Sequence, residues 1–289
     1  MCGVRGEILL LSEGETREAE AGDESERGRG DEREEVHKHS AILKRHQLLV
    51  PNLELNTGCA GQFHPGPPSD LAQALTERLR RLLVETVCPV DVFQLRIFDR
   101  GQDSGIGFSG KASHSGSNRD VKAYWVLYID TLMISLDGNP FDAAWACVIA
   151  ALCDTKLPLA HWDSKTGRVL CDPVRTSSLQ LRSLPFAASF GIFTAPAAPD
   201  GETATATGPR TQRWILADPD DFEQQVCQEA VLVVMRDEHN VSKLEKAGSS
   251  GSGGVGGGAF DDLRRCVEMA GQRWRAWREL IDIGGGNEK

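Results

Sequence analysis

The stretch VKAYWVLYIDTLMISL, residues 121–136, constrains the fold more than any other part of the chain. It is rich in β-branched and aromatic residues, and both faces of an extended strand with this sequence would be apolar. The pattern therefore predicts a central strand that is covered on both sides. A Gly-Asn-Pro turn follows at residues 138–140, and DAAWACVIAALCD then predicts a compact helix. Backbone N–H groups point outward where a strand turns into a helix, so this turn is a candidate anion site.

Two further segments have helical periodicity. Ser69 is a suitable N-cap for a helix that runs to about residue 86. The second helix lies near the end of the chain, and we expect it to pack on its own sheet, although an interface with another subunit would use the same stripe. The apolar positions are Leu71, Leu75, Leu79, Leu82 and Leu83 in the first helix, and Phe260, Leu263, Val267, Ala270, Trp274, Trp277 and Ile281 in the second.

The other apolar runs predict strands. Single strands are predicted at residues 2–11, at VDVFQLRIF and at LPFAASFGIFTA. A strand pair is predicted for LPLAHWD and RVLCDPV. RWILADP predicts a strand that precedes a hairpin turning at Glu238, His239 and Asn240. Strands followed by a helix thus occur twice, which predicts an α+β protein with two lobes that meet near residues 160–185.

Polar segments interrupt these elements. The formal net charge is −10, of which residues 13–35 carry −7, so the overall acidity says little about the partners of the folded part. We expect residues 13–38 to be a disordered acidic insertion. Residues 101–120, 195–211 and 247–258 are rich in small and polar residues and predict further loop insertions.

The cysteines and histidines predict no metal site. Eight cysteines are scattered without a C-x-x-C pair, and several lie in apolar runs, which favours reduced thiols in an intracellular protein. The seven histidines have no metal-ligand spacing, so we expect no metal and no cofactor. No apolar run reaches the length of a membrane helix, and we expect no membrane partner.

Several segments together resemble one family. The chain resembles the RNase PH-like proteins in several segments that occur in the same order. These segments are PNLELNTGCAGQFHPGPPSDLAQALTERLRRLL, KAYWVLYIDTLMISLDGNPFDAAWACVIAAL, and LPFAASFGIF with RWILADPDDFEQQVCQEAVLVVM. The resemblance is greater to the catalytically inert ring subunits of the eukaryotic RNA exosome, and it covers residues 2–11 and 40–283.

This resemblance implies a fold, partners and a location. It implies the RNase PH-like fold of two β-α lobes related to domain 2 of ribosomal protein S5, over residues 1–160 and 180–283. It implies a ring of six such subunits with cap subunits, single-stranded RNA in the channel, a role in ribosomal RNA processing, and a location in nucleus, nucleolus and cytoplasm. Relatives begin with further strands, so we expect the first lobe to be shortened at its N-terminus, with an unpaired sheet edge and poor solubility when alone.

The turn after the central strand departs from active relatives. Catalytically active members have a turn close to Asp-Gly-Gly-Thr-Arg, whose arginine binds the attacking phosphate. Here the last three positions are Asn139, Pro140 and Phe141. Pro140 has no N–H to donate, and Phe141 has no charge. Asp142 adds a negative charge that opposes a bound phosphate.

The acidic segment after RWILADP also departs from active relatives, which have two aspartates six residues apart there. In an ungapped alignment from Asp218, these positions are Gln224 and Ala230, neither of which carries a charge. We expect Asp220, Asp221 and Glu223 to form a solvated loop face. The expectation is a protein with no catalytic residues, while an active phosphorolytic 3′-exoribonuclease and a separate S5-like RNA-binding module are the alternatives.

Two arginines of the first predicted helix are candidates for RNA binding. The family motif Asp-Arg-x-x-Arg has its counterpart in ERLRRL, where Arg78 and Arg81 take the matching positions and share a helix face. Such residues would contact RNA phosphates without sequence preference. Ion pairs with carboxylates of a neighbouring subunit, or simple exposure to solvent, would explain the same arginines.

Overall fold

A computed structural model describes the chain in five segments, which are residues 1–12, 32–99, 121–196, 211–248 and 258–285. Two four-stranded sheets form the framework, and a two-stranded hairpin lies between them in the sequence. Most of the predicted insertions, at residues 13–31, 101–120, 197–210 and 249–257, lie outside the described residues. None of the described helices is both long and apolar enough to cross a membrane.

The first sheet is built around one long strand. Its strands are β1 (Cys2–Leu10), β2 (Leu49–Leu55), β3 (Arg96–Phe98) and β4 (Val121–Met133). β4 pairs with antiparallel β1 on one side, and with parallel β2 and antiparallel β3 on the other. Nine of the thirteen residues of β4 are buried and only Asp130 is exposed, which confirms the predicted central strand.

Three helices accompany the first sheet, namely α1 (Glu32–His46), α2 (Asp70–Arg81) and α3 (Pro140–Asp154). The Ser69 side chain accepts a hydrogen bond from the Ala72 amide, which confirms the predicted N-cap of α2. A π-helical turn continues α2 over Leu82–Thr86, where the predicted helix ends.

Two local predictions in this lobe are wrong. Residues 32–38, predicted to belong to the disordered insertion, are the first half of α1. Residues 92–95 form a 3-10 helix within the predicted strand VDVFQLRIF, so that only Arg96–Phe98 pair with β4. Asp91 begins this short helix, because its carboxylate accepts a hydrogen bond from the Phe93 amide at 3.0 Å.

The second sheet is antiparallel throughout, in the order β10-β9-β7-β8. Before it, β5 (Lys156–Asp163) and β6 (Arg168–Ser178) form the predicted strand pair. The sheet strands are β7 (Phe186–Pro196), β8 (Thr211–Ala217), β9 (Glu229–Met235) and β10 (Val241–Gly248), and the helices are α4 (Asp221–Val226) and α5 (Gly258–Gly285).

The closing helix packs on the second sheet, as the sequence predicts. Leu263, Val267 and Trp274 of α5 pack against the apolar residues of β7 and β9. Phe260, predicted to belong to the same stripe, is 74% exposed and is not part of the packing. The buried face instead includes Cys266, which lies between the predicted apolar positions.

The second sheet has two apolar faces, and each faces a different core. Val231 and Val233 of β9 pack with α5. Leu232 and Val234, which alternate with them, belong to the core of the first lobe. The second sheet therefore lies between α5 and the first lobe, and the turn that begins α3 lies near the boundary of the two lobes.

Candidate functional site between the lobes

The turn after β4 touches the second lobe through its backbone. Gly138 has a φ of +75°, a conformation that favours glycine. A side chain at this position would place its first carbon 2.6 Å from the Asp221 amide nitrogen and from the Pro219 carbonyl oxygen. The sequence therefore keeps glycine here because the turn lies directly against the start of α4.

Asn139 joins two acidic side chains from different lobes. Asn139 is buried, and its backbone has the left-handed conformation with a φ of +38°. Its side-chain amide donates to Oδ2 of Asp142 at 2.8 Å and to Oδ1 of Asp218 at 2.6 Å. Asp218 follows β8, so one amide group links the helix of the first lobe to a turn of the second.

Asp142 also accepts two hydrogen bonds from β7. The Ser189 amide donates to Oδ2 at 2.6 Å, and the Ser189 hydroxyl donates to Oδ1 at 2.8 Å. Burial raises the pKa of the Asp142 carboxyl although these donors and Asn139 lower it, and the nearby Asp218 carboxylate adds to the rise. The carboxylate is thus partly buried and is held by neutral donors.

Phe141 lies at the position that the family resemblance predicts for a phosphate-binding arginine. Its ring is 3% exposed and stacks on Trp145 with the ring centroids 6.5 Å apart. The Arg78 guanidinium lies 4.4 Å from the centroid of the Phe141 ring. Arg78 also donates to Glu245 of β10 at 2.5 Å, which forms a second link between the lobes.

The two positions that the family resemblance aligns with catalytic aspartates carry no acid. Gln224 is exposed, and its amide donates to the Pro219 carbonyl at 2.9 Å. Ala230 pairs with Gly191 and lies on the face of β9 that continues towards the first lobe. Its neighbour Glu229 is on the opposite face, where it is 1% exposed and pairs with Arg213 and Lys246.

The acids before β9 begin a helix, so the predicted loop is wrong. Asp220 accepts a hydrogen bond from the Glu223 amide at 2.7 Å, and Glu223 accepts one from the Asp220 amide at 3.1 Å. This capping box starts α4. Asp221 accepts a hydrogen bond from Gln225 at 3.1 Å within the same helix.

The candidate RNA-binding arginines of α2 differ in how they are held. Arg78 is tied to Glu245 and Phe141, as described above. Arg81 is the more exposed of the two, at 55%, and lies 3.5 Å from Glu77. Arg80 makes two hydrogen bonds of 2.8 Å to the same Glu77. Arg78 is thus paired within the chain across the two lobes, which none of the sequence-based alternatives predicts, whereas Arg81 lies only near a carboxylate of its own helix.

Ser189 and Glu245 are the residues of this site that the sequence does not reveal. Ser189 is a polar residue within the apolar strand LPFAASFGIFTA, which is a weak signal. Glu245 lies in an alternating hairpin strand and shows no such signal, because its partner Arg78 is 167 residues away.

Metal-binding clusters are absent from the described residues, in which no group of three or more His, Cys, Asp or Glu could hold an ion. All eight cysteines lie in the described segments, and all are free thiols. Burial raises the pKa of Cys88 and of Cys266 to about 11, so these thiols are poor nucleophiles.

The first half of the chain matches a known family model. Residues 31–158 match the model described as 3′ exoribonuclease family, domain 1. The chain is 31% identical over 224 residues to the Exosome complex component rrp43 of Schizosaccharomyces pombe. This alignment covers 77% of this chain and 65% of that protein. It is 24% identical over 246 residues to the Exosome complex component RRP45 of Rattus norvegicus. This second alignment covers 84% of this chain and 46% of that protein. The chain thus spans less than two thirds of the length of either relative.

Solved structures extend the likeness to nearly the whole chain. The structure described as "archaeoglobus fulgidus exosome with RNA bound to the active site" aligns with a TM-score of 0.55 and 19% identity. The alignment covers 97% of this chain and 78% of that chain. An archaeal exosome core aligns with a TM-score of 0.51 and 17% identity, over 97% of this chain and 76% of the other. At these identities the likeness establishes the fold.

Proposed function

We propose that this chain, which carries an RNase PH domain, is a non-catalytic structural subunit of the RNA exosome core ring. The predicted α+β RNase PH-like fold is confirmed by the family match and the solved structures. The relatives are named as exosome components, which supports the same assembly here. As a subunit resembling ribosomal RNA-processing protein 43, it would support 3′-to-5′ RNA processing and degradation, including ribosomal RNA maturation.

The observation that carries the non-catalytic proposal is the closed turn between the lobes. Phe141 is buried under Arg78, and the side-chain amide of Asn139 already donates hydrogen bonds to Asp142 and Asp218. Two carboxylates thus lie where an attacking phosphate would have to bind, and like charges repel it. The uncharged Gln224 and Ala230 would supply neither a metal ligand nor a general base.

The proposed partners are other RNase PH-like ring subunits, the cap subunits and single-stranded RNA in the channel. Arg81 is the better placed of the two candidate RNA contacts, because Arg78 is already paired with Glu245. Work in ribosomal RNA maturation and RNA turnover would place the protein in nucleus, nucleolus and cytoplasm.

Co-purification from cells tests the assembly. The tagged chain, produced at its native level, is expected to bring down the other ring subunits and the cap subunits, with one copy of the chain in each complex. A stable monomer that binds RNA tightly would instead support the separate RNA-binding module.

A charge substitution tests the RNA contact. Arg81→Gln in the purified chain is expected to weaken oligonucleotide binding and to reduce the salt slope of the binding constant by about 0.7 for each lost phosphate contact. Arg80→Gln is the matched control, because Arg80 makes two hydrogen bonds to Glu77 whereas Arg81 lies 3.5 Å from it. Equal effects of the two substitutions would contradict a specific role of Arg81.

A further inference from the structure

The Asp142 carboxylate receives hydrogen bonds from both lobes although it belongs to α3 of the first. Asn139, which precedes α3, donates to it at 2.8 Å, and both donors of Ser189 in β7 reach it at 2.6 and 2.8 Å. Hydrogen bonds to a carboxylate are about twice as strong as those between neutral groups. The carboxylate therefore joins the start of α3 to the middle of the second sheet.

A second acid completes the junction. Asp218 accepts the other hydrogen bond of the Asn139 amide at 2.6 Å, and Arg273 of α5 lies 3.7 Å from the second oxygen of Asp218. Asn139 and Asp218 both have positive φ, of 38° and 60°, which is a conformation that asparagine and aspartate tolerate better than most residues. The turn before α3, β7, the turn after β8 and α5 thus meet around two carboxylates.

We propose that Asp142 is the latch between the lobes: its carboxylate fixes the start of α3 and Asn139 against Ser189 of β7, and its loss frees this contact. The proposal deepens the proposed structural role of the chain and rests on it, because a subunit that contributes only interfaces needs its two lobes in a fixed relative position. Removal of the carboxylate leaves the Ser189 amide and hydroxyl without their acceptor, and water would have to enter between the lobes to replace it.

Site-resolved amide hydrogen exchange of the full chain tests the latch. In Asp142→Ala, exchange at the Ser189 amide is expected to be about 10- to 100-fold faster than in the unsubstituted chain, the factor expected for losing hydrogen bonds to a charged group. Sodium formate supplies a free carboxylate of the missing size, and it is expected to slow the exchange again in a saturable manner. Asp137→Ala, an exposed acid just before the same turn, is the matched control and is expected to show neither effect.

Asp142→Asn is the second variant, which keeps the shape of the side chain if Asp142→Ala does not fold. It replaces a charged acceptor by a neutral one, and exchange at Ser189 is expected to be several-fold faster. Unchanged exchange in Asp142→Asn would overturn the proposal, and so would a formate effect of equal size in Asp137→Ala. These measurements use the isolated chain without RNA or partners. A failure of the latch is thus distinguishable from a failure to co-purify with a ring, which would overturn only the proposed function.

Discussion

Two links join the lobes on either side of Phe141, and they differ in their chemistry. In the first, the Asp142 carboxylate is held by the neutral donors of Asn139 and Ser189 in a partly buried site. In the second, Arg78 and Glu245 form an ion pair whose side chains are 37% and 39% exposed. The first link is expected to be stronger and insensitive to salt, whereas solvent screens the second.

The same difference gives the two acids opposite responses to pH. Burial raises the pKa of Asp142 above its value in the unfolded chain, so the pH-dependent part of its contribution to stability is present below the unfolded pKa and is lost as pH rises through the folded pKa. Although burial opposes it, the hydrogen bonds from Lys243 and Arg78 lower the pKa of Glu245. The Glu245 contribution is therefore present above the unfolded pKa and is lost as pH falls through the folded pKa.

The largest expected effect comes from removing the ring that lies between the links. Phe141→Ala deletes a buried side chain that contacts Trp145 and Arg78, and we expect it to lower the free energy of unfolding by about 3–5 kcal/mol. Urea denaturation measures the change. Phe222→Ala, at a side chain that is 71% exposed, is the control and is expected to stay within about 0.5 kcal/mol of the unsubstituted chain. A similar loss in both variants would show that Phe141 has no special place in the packing.

A smaller effect is expected from breaking the ion-pair link. Arg78→Ala removes the contact with Glu245 and the cation–π contact with Phe141, and we expect a loss of about 1 kcal/mol at low salt. The loss should shrink in about 0.5 M salt because ions screen the exposed pair. The loss caused by Asp142→Ala should not shrink. Equal salt dependence of the two variants would contradict the distinction between the links.

The smallest effects are the two pH dependences. Relative to the unsubstituted chain, Asp142→Asn should gain stability as pH rises above about 4, the unfolded pKa of aspartate. Glu245→Gln should lose relative stability as pH rises through the acid range below about 4.3, the unfolded pKa of glutamate. Urea denaturation across this range measures both slopes, and slopes of the same sign would refute the assignment of opposite pKa shifts.

The sequence predicts the elements of this fold better than its contacts. The central strand β4, the Ser69 cap and the hairpin between β9 and β10 follow from local composition and periodicity. The start of α1 has a highly acidic sequence that resembles disorder. The 3-10 helix at residues 92–95 and the short α4 each depend on one aspartate that accepts a backbone hydrogen bond, and an apolar pattern does not reveal such a cap.

For the candidate site, the sequence predicts which residues of active relatives are replaced, but not the contacts that the new residues make. The family resemblance predicts that Phe141, Gln224 and Ala230 replace catalytic residues. It does not predict the contacts around the turn, because Asn139 and Asp218 are 79 residues apart and Arg78 and Glu245 are 167 residues apart. Pairing over such distances depends on the relative position of the lobes.

Direct binding of inorganic phosphate to the purified chain tests the central claim, that the turn between the lobes serves the structure and not phosphorolysis. Titration calorimetry, with ³¹P NMR as a second readout, is expected to give no saturable binding, because Phe141 has no charge and the side-chain amide of Asn139 donates to two carboxylates. Saturable binding of phosphate would contradict the claim, since it would require an open phosphate site on the chain.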